Sequence, residues 1–240
     1  MKRTVGIFCI FCAFVFVIAG CNKKESTVSP QSDPKQPEEE YVFPLTGLTT
    51  NDEAKIEERP IAVVVNNDVQ ARPQTGLNEA DVIYEVLTEG DITRYLAIYQ
   101  SEQPDTVGPV RSARPYFIDL ANGYDALFIA HGYSPEAESM LRSGVIDHLN
   151  GIAHDGTLFQ RASFRKAPHN SYISFENIKK GATDSQYELV KTVTPLPFLT
   201  EDEVNDLDGE QADEVTVEYS SRYQVSYRYD EEAKEYTRMI

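Results

Sequence analysis

Two short apolar runs, IAVVVNN (61 to 67) and DALFIAHGY (125 to 133), set the limits on what this chain can fold into. Each has the length of a strand and lacks the spaced polar residues of a surface helix, so each reads as a buried strand. DVIYEVL (81 to 87) and RYLAIYQ (94 to 100) add two more strands rich in aromatic and branched residues. Helix signals lie among them. Pro115 suits a first helical turn and Gly123 a C-terminus, which predicts a helix over about 114 to 122. Ser134-Pro135-Glu136 opens a second helix ending near Gly144, and a third follows Ser174 over FENIKKG. The alternation predicts a mixed α/β (α+β) fold, a central mixed β-sheet with flanking helices.

The chain is expected to hold two cores, the first beginning after Pro60 and the second after TPLPF (194 to 198), where two prolines discourage regular structure. Residues 201 to 214 carry eight Asp or Glu among fourteen and read as a solvated loop. Beyond them VTVEY, YQVSYRY and YTRMI alternate with period two, which predicts a smaller antiparallel β-rich C-terminal region. The pattern stops in mid-strand, so the sequence is expected to be a fragment with its second domain incomplete.

The N-terminus is of a different kind. Lys2 and Arg3 precede an apolar stretch from Val5 to Ala19, and Ile18-Ala19-Gly20-Cys21 resembles a lipobox. Fifteen apolar residues are short for a membrane span, which needs about 20. The expected organisation is a lipoprotein signal peptide over 1–20, a disordered lipid-anchored tether over 21–44, an α/β domain over 45–195 and a β-rich domain over 196–240. Cys9 and Cys12 would leave with the signal peptide and Cys21 would carry lipid, so no thiol remains for a disulfide or for nucleophilic catalysis.

Charge narrows the partners. The formal charge of −17 becomes −19 once Lys2 and Arg3 are removed, which argues against nucleic acid and leaves the lipid on Cys21 to provide membrane attachment. Residues 110 to 172 are the exception, with six Arg or Lys against six Asp or Glu and all four histidines between 131 and 169. No HExxH occurs there, and the sequence calls for no metal and no cofactor.

Within that stretch, GPVRSARPYFIDLA (108 to 121) places Arg111 and Arg114 at the start of the predicted helix, where free backbone amides already favour an anion. Two guanidiniums would add bidentate recognition of phosphate or carboxylate. The alternative is structural. Glu85 lies inside an apolar run, where a lone charge is expensive, and an Arg-to-Glu85 bridge would neutralise it. His131 ends the run ALFIA and should sit at a strand's end, where α/β folds present ligands. His169-Asn170 follows Pro168 in a turn that can present an imidazole and an amide together. The candidate ligand-binding residues are therefore Arg111, Arg114, His131, His169 and Asn170. Candidate catalytic residues are His131 and His169 as acid-base, with Glu85 and Glu89 as a carboxylate pair if they lie about 5 to 9.5 Å apart.

RPIAVVVNN, ARPQTGLNEADVIYEVLTEGDITRYLAIYQS, VGPVRSARPYFIDLA, YDALFIAHGYSPEA and RKAPHNSYIS, in that order, resemble the segments of the YerB-like lipoproteins of Gram-positive bacteria. The likeness covers about residues 44 to 182. It implies an envelope lipoprotein with a domain of unknown function followed by a smaller β-rich domain, and no established reaction. The family's characteristic positions fall at Arg72, Glu79, Asp81, Glu85, Glu89, Arg94, Arg111, Arg114, His131, His169 and Asn170, whereas Asn66-Asn67 stands where an Asp-Asn pair is expected.

Two readings of function follow. One is a membrane-anchored extracytoplasmic binding or accessory module that recognises an anionic cell-wall glycan or an envelope protein. The other is a hydrolase of envelope glycan or phosphodiester bonds, with histidine acid-base catalysis and arginine charge stabilisation.

Overall fold

The computed structural model of the chain describes residues 40–239. The signal-peptide and lipidation readings, and the tether as far as residue 39, lie outside them. Among the described residues no helix is long and apolar enough to cross a membrane.

The body starts earlier than Pro60. Strands β1 (Tyr41–Val42) and β2 (Thr49–Thr50) pair antiparallel, and Phe43 and Leu45 between them are buried. Helix α1 (Glu53–Ile56) leads into β3 (Ile61–Asn66), followed by β4 (Val82–Leu87), β5 (Thr93–Tyr99) and the short β6 (Thr106–Val107). Next come α2 (Pro115–Asn122), β7 (Leu127–Ala130), α3 (Pro135–Arg142), β8 (His148–Asn150) and α4 (Gly151–His154). Strands β9 (Phe159–Arg161) and β10 (Ser171–Ser174) precede α5 (Phe175–Asp184). The C-terminal region holds α6 (Glu201–Asn205), β11 (Glu214–Ser220), β12 (Tyr223–Asp230) and β13 (Glu235–Met239).

The central sheet has five strands in the order β4-β5-β3-β7-β8, with β3, β7 and β8 mutually parallel and β4 and β5 antiparallel to their neighbours. Its middle strands are apolar throughout because both faces are covered. Val63, Val65, Ala97 and Ile129 point into one core with Phe159, Ile173, Phe175 and Ile178 of β9, β10 and α5. Val64, Leu96, Ile98 and Phe128 point into the other, against Phe117 and Ile118 of α2 and Leu141 of α3. The two cores thus lie on the two sides of one sheet. Each fully buried Val, Leu, Ile or Phe contributes about 1.5 to 3 kcal/mol, so this sheet dominates the stability of the body.

Helix α2 begins and ends where Pro115 and Gly123 place it, with Arg114 as N-cap residue. The antiparallel order β11-β12-β13 is the predicted meander. It has little core of its own, since Val225 is its fully buried hydrophobic residue among those described. The acidic stretch after residue 200 is not entirely a loop. Thr200 caps Glu203 N while the Glu203 carboxylate accepts from Thr200 N, and this capping box opens α6.

Candidate functional site

Parallel strands β3, β7 and β8 end on the same edge of the sheet, and the residues at their ends gather there as a candidate site. The crevice outside the carboxyl ends of such strands is where open α/β sheets bind ligands. Asn66 closes β3, His131 follows β7, and Asn150 closes β8. The loop between β6 and α2 passes across this edge, with Arg111 N donating to Val64 O and His131 N donating to Arg111 O. Arg111 is thereby set between the ends of β3 and β7.

Asn150 Oδ1 accepts from Gly132 N and from Ile152 N, each at 3.0 Å, tying the end of β7 to the first turn of α4. Gly132 has φ +93, a left-handed conformation that favours glycine, and a Cβ there would come within 2.8 Å of Ser112 Oγ. The His131 ring packs closely on Gly151, where a Cβ would come within 2.1 Å of Nδ1.

The chemistry of its partners assigns the His131 tautomer. Arg161 Nη2, which can only donate, lies 2.9 Å from Nε2, so Nε2 accepts and Nδ1 carries the proton toward Ser171 Oγ at 2.7 Å. Burial, then the charges of Arg161 and Arg111, hold His131 below the ordinary imidazole value, which favours the neutral ring. Arg161 also pairs with Asp155 and donates to Asn170 Oδ1 at 3.1 Å. His169 Nδ1 accepts from Asn66 Nδ2 at 2.9 Å. His131, Asn170 and His169 therefore converge on one edge through Arg161, which sequence reasoning passed over, and Asn66, noted in the sequence only as part of the Asn66-Asn67 pair. Their contacts with the histidines left no local signal, because they span 30 and 103 positions.

Beside them stands a cluster of three arginines. Arg94 on β5 faces Asn66 across the ladder and donates to Ser112 O at 2.8 Å. Arg114 makes a bidentate contact with Glu89, and Arg94 approaches the same carboxylate at 3.5 Å. Arg111 forms neither contact, and among the described residues its buried Nε has no hydrogen-bond partner. Burial, followed by the charges of Arg114 and Arg111, pushes Arg94 down to about 10, and burial with Arg114 lowers Arg111 as well. Three guanidiniums thus face Glu89 and, near Arg111, Asp68. The adjoining N-terminus of α2 has no side-chain cap.

The alternative bridge from Arg111 or Arg114 to Glu85 does not form. Glu85 is claimed by Arg238, whose Nη2 lies 2.8 Å from Oε2, and it also accepts from Asn67, Thr93 and Tyr223. Glu89 belongs to the arginine cluster instead, where the Arg114 hydrogen bond lowers it to about 2. Glu85 and Glu89 thus sit in two separate ion pairs. Among the described residues no group of three or more His, Cys, Asp or Glu is placed to hold a metal.

Residues 45–188 match the family described as "Protein of unknown function (DUF3048) N-terminal domain". A Bacillus subtilis (strain 168) protein named "Putative lipoprotein YerB" is 45% identical over 99% of this chain and 69% of its own length. The chain belongs to this family. The crystal structure of YerB from Bacillus subtilis matches with a TM-score of 0.76 and 48% identity, covering 83% of this chain. The chain spans 66% of that solved protein. The YerB-like family thus accounts for the mixed sheet and for the lipoprotein character of its relative, while the site at the strand ends is described by its geometry alone.

Proposed function

We propose that this YerB-like chain is a lipid-anchored, extracytoplasmic binding module of the cell envelope. Its ligand is an anionic group, phosphate or carboxylate, carried by an envelope glycan or protein. The observation that carries the reading is Arg111, a partly buried cation whose Nε has no partner among the described residues, set between the carboxyl ends of β3 and β7 beside Arg94 and Arg114. A buried donor left unpaired costs about 1 to 3 kcal/mol, and more when the group is charged, so an anion binding there recovers energy the free protein lacks. His131, Arg161, His169 and Asn170 continue the same edge as a set of hydrogen-bonded polar side chains.

The hydrolase alternative has weaker support. A base at His131 needs a free Nε2, and Arg161 already donates to that atom. Ser171 accepts from the ring and is 1% exposed, a poor position for a nucleophile.

The test is thermal melting of the full chain in detergent micelles with added sulfate, inorganic phosphate or an anionic wall polymer. A ligand at tenfold its dissociation constant stabilises by about 1.4 kcal/mol. Arg111→Gln should leave the melting temperature without ligand unchanged or slightly raised and should abolish the ligand shift. No shift in the parent with any of the three additives, or an equal shift in the variant, refutes the site.

A further inference from the structure

On another side of the body, the meander does not lie flat on the central sheet but leaves a cleft of about 480 Å³ against β4 and β5. This is within the range of small-ligand sites. Its walls include three tyrosine rings, Tyr95 from the sheet and Tyr219 and Tyr227 from the meander, while Tyr84 borders it only from β4, its ring lying on the opposite face against Tyr124. Tyr227 stands directly opposite Arg238 in the β12-β13 ladder, so both side chains share one face of the meander.

The polar groups of this cleft are arranged for a neutral ligand. Glu85 and Arg238 cancel one another in charge, and Glu85 is saturated by its donors. The remaining hydrogen-bonding capacity is mixed. Gln74 uses Nε2 on Asn66 O and Asn67 Oδ1, which leaves Oε1 as an acceptor. Among the described residues, Arg238 Nη1 and the Tyr227 hydroxyl enter no hydrogen bond, which leaves a donor and a donor-acceptor. Aromatic faces with scattered donors and acceptors and no net charge match a pyranose, whose axial C–H faces lie on rings while its hydroxyls both give and accept protons. A charged ligand would meet a cancelled field, and a wholly apolar one would strand these polar groups.

We infer that the cleft between the meander and β4 and β5 is a binding site for a neutral saccharide, distinct from the cationic site at the strand ends. The two sites differ in the ligand they take and in the residues that hold it.

The experiment titrates the full chain in detergent micelles with tri-N-acetylchitotriose and with cellotriose, followed by calorimetry and by tyrosine emission, which no tryptophan masks in this chain. Saturable binding of at least one sugar is expected. Tyr227→Ala removes a ring whose hydroxyl has no hydrogen-bond partner among the described residues, and Ile83→Arg fills the rim from a residue that is 43% exposed. Each should weaken sugar binding by about tenfold or more, equivalent to about 1.4 kcal/mol. Arg111→Gln should leave sugar binding intact, and Ile83→Arg should leave sulfate stabilisation intact, so failure of one site is separable from failure of the other. Unchanged melting of Ile83→Arg without sugar verifies its fold. No saturable binding of either sugar overturns the inference. So does binding that survives both cleft substitutions, or that is lost in Arg111→Gln.

Discussion

Arg238 Nη2 lies 2.8 Å from Glu85 Oε2, joining the last strand of the meander to the edge strand of the central sheet across 153 residues. The Glu85 side chain is 5% exposed and that of Arg238 is 25% exposed. Burial opposes the Arg238 charge, but the hydrogen bond and attraction of Glu85 outweigh it and hold Arg238 above its ordinary value. Removing one partner leaves the other charge buried. Arg238→Met should therefore destabilise by about 3 to 5 kcal/mol in urea unfolding. Glu85→Gln together with Arg238→Met should recover part of the loss, because neither variant side chain is charged. A loss below about 1 kcal/mol in the single variant would show that the pair does not hold the meander.

Protonation of His131 gives a second expectation. Its folded-state value is depressed by burial and by Arg161 and Arg111. Stability from the neutral ring is therefore fully present above the unfolded imidazole value of about 6.5 and declines as pH falls through the folded value. Melting temperature should drop over that acid range in the parent and drop less in His131→Gln. Superimposable profiles for the two proteins would contradict the environment assigned to the ring.

Gly151 offers a steric test of the same histidine. An added Cβ would meet His131 Nδ1 at 2.1 Å and other ring atoms at 2.3 and 2.6 Å, so the ring must move. Gly151→Ala should cost about 1 to 3 kcal/mol, as overpacking does. It should also shift the His131 imidazole resonances. Wild-type stability with unmoved resonances would show that the ring does not rest on this glycine.

Attachment to the membrane should depend on one atom. Cys21→Ala removes the thiol expected to carry lipid and should release the processed protein from the membrane fraction. Retention of the processed variant without lipid incorporation would point to a different anchor.

Sequence made the strands legible wherever apolar residues ran without interruption, because β3, β5 and β7 are covered on both sides and admit no polar position over most of their length. Helix α2 was legible from Pro115 and Gly123, whose backbone preferences are local. Helix α6 was obscured because its acidic composition resembles a solvated loop, while the capping box of Thr200 and Glu203 suffices to nucleate a short helix. The placement of His131 at a strand end was also readable. Its pairing with Arg161 was not, nor was the claim of Arg238 on Glu85, since contacts across 30 and 153 positions leave no periodic trace.

Two neighbouring pairs of residues carry a consequence for both sites. Thr93 and Arg94 are consecutive on β5 and point to opposite faces of the sheet, as successive strand residues must. Thr93 donates to Glu85 on the tyrosine side, and Arg94 donates to Ser112 O on the cationic side. Asn67 and Asn66 divide in the same way, one toward Glu85 and the other toward His169. The Glu85 pair and the Arg94 contact are therefore separated by the thickness of one strand. A slip of β5 by a single position would exchange the two faces, placing Arg94 against Glu85 and Thr93 against Ser112.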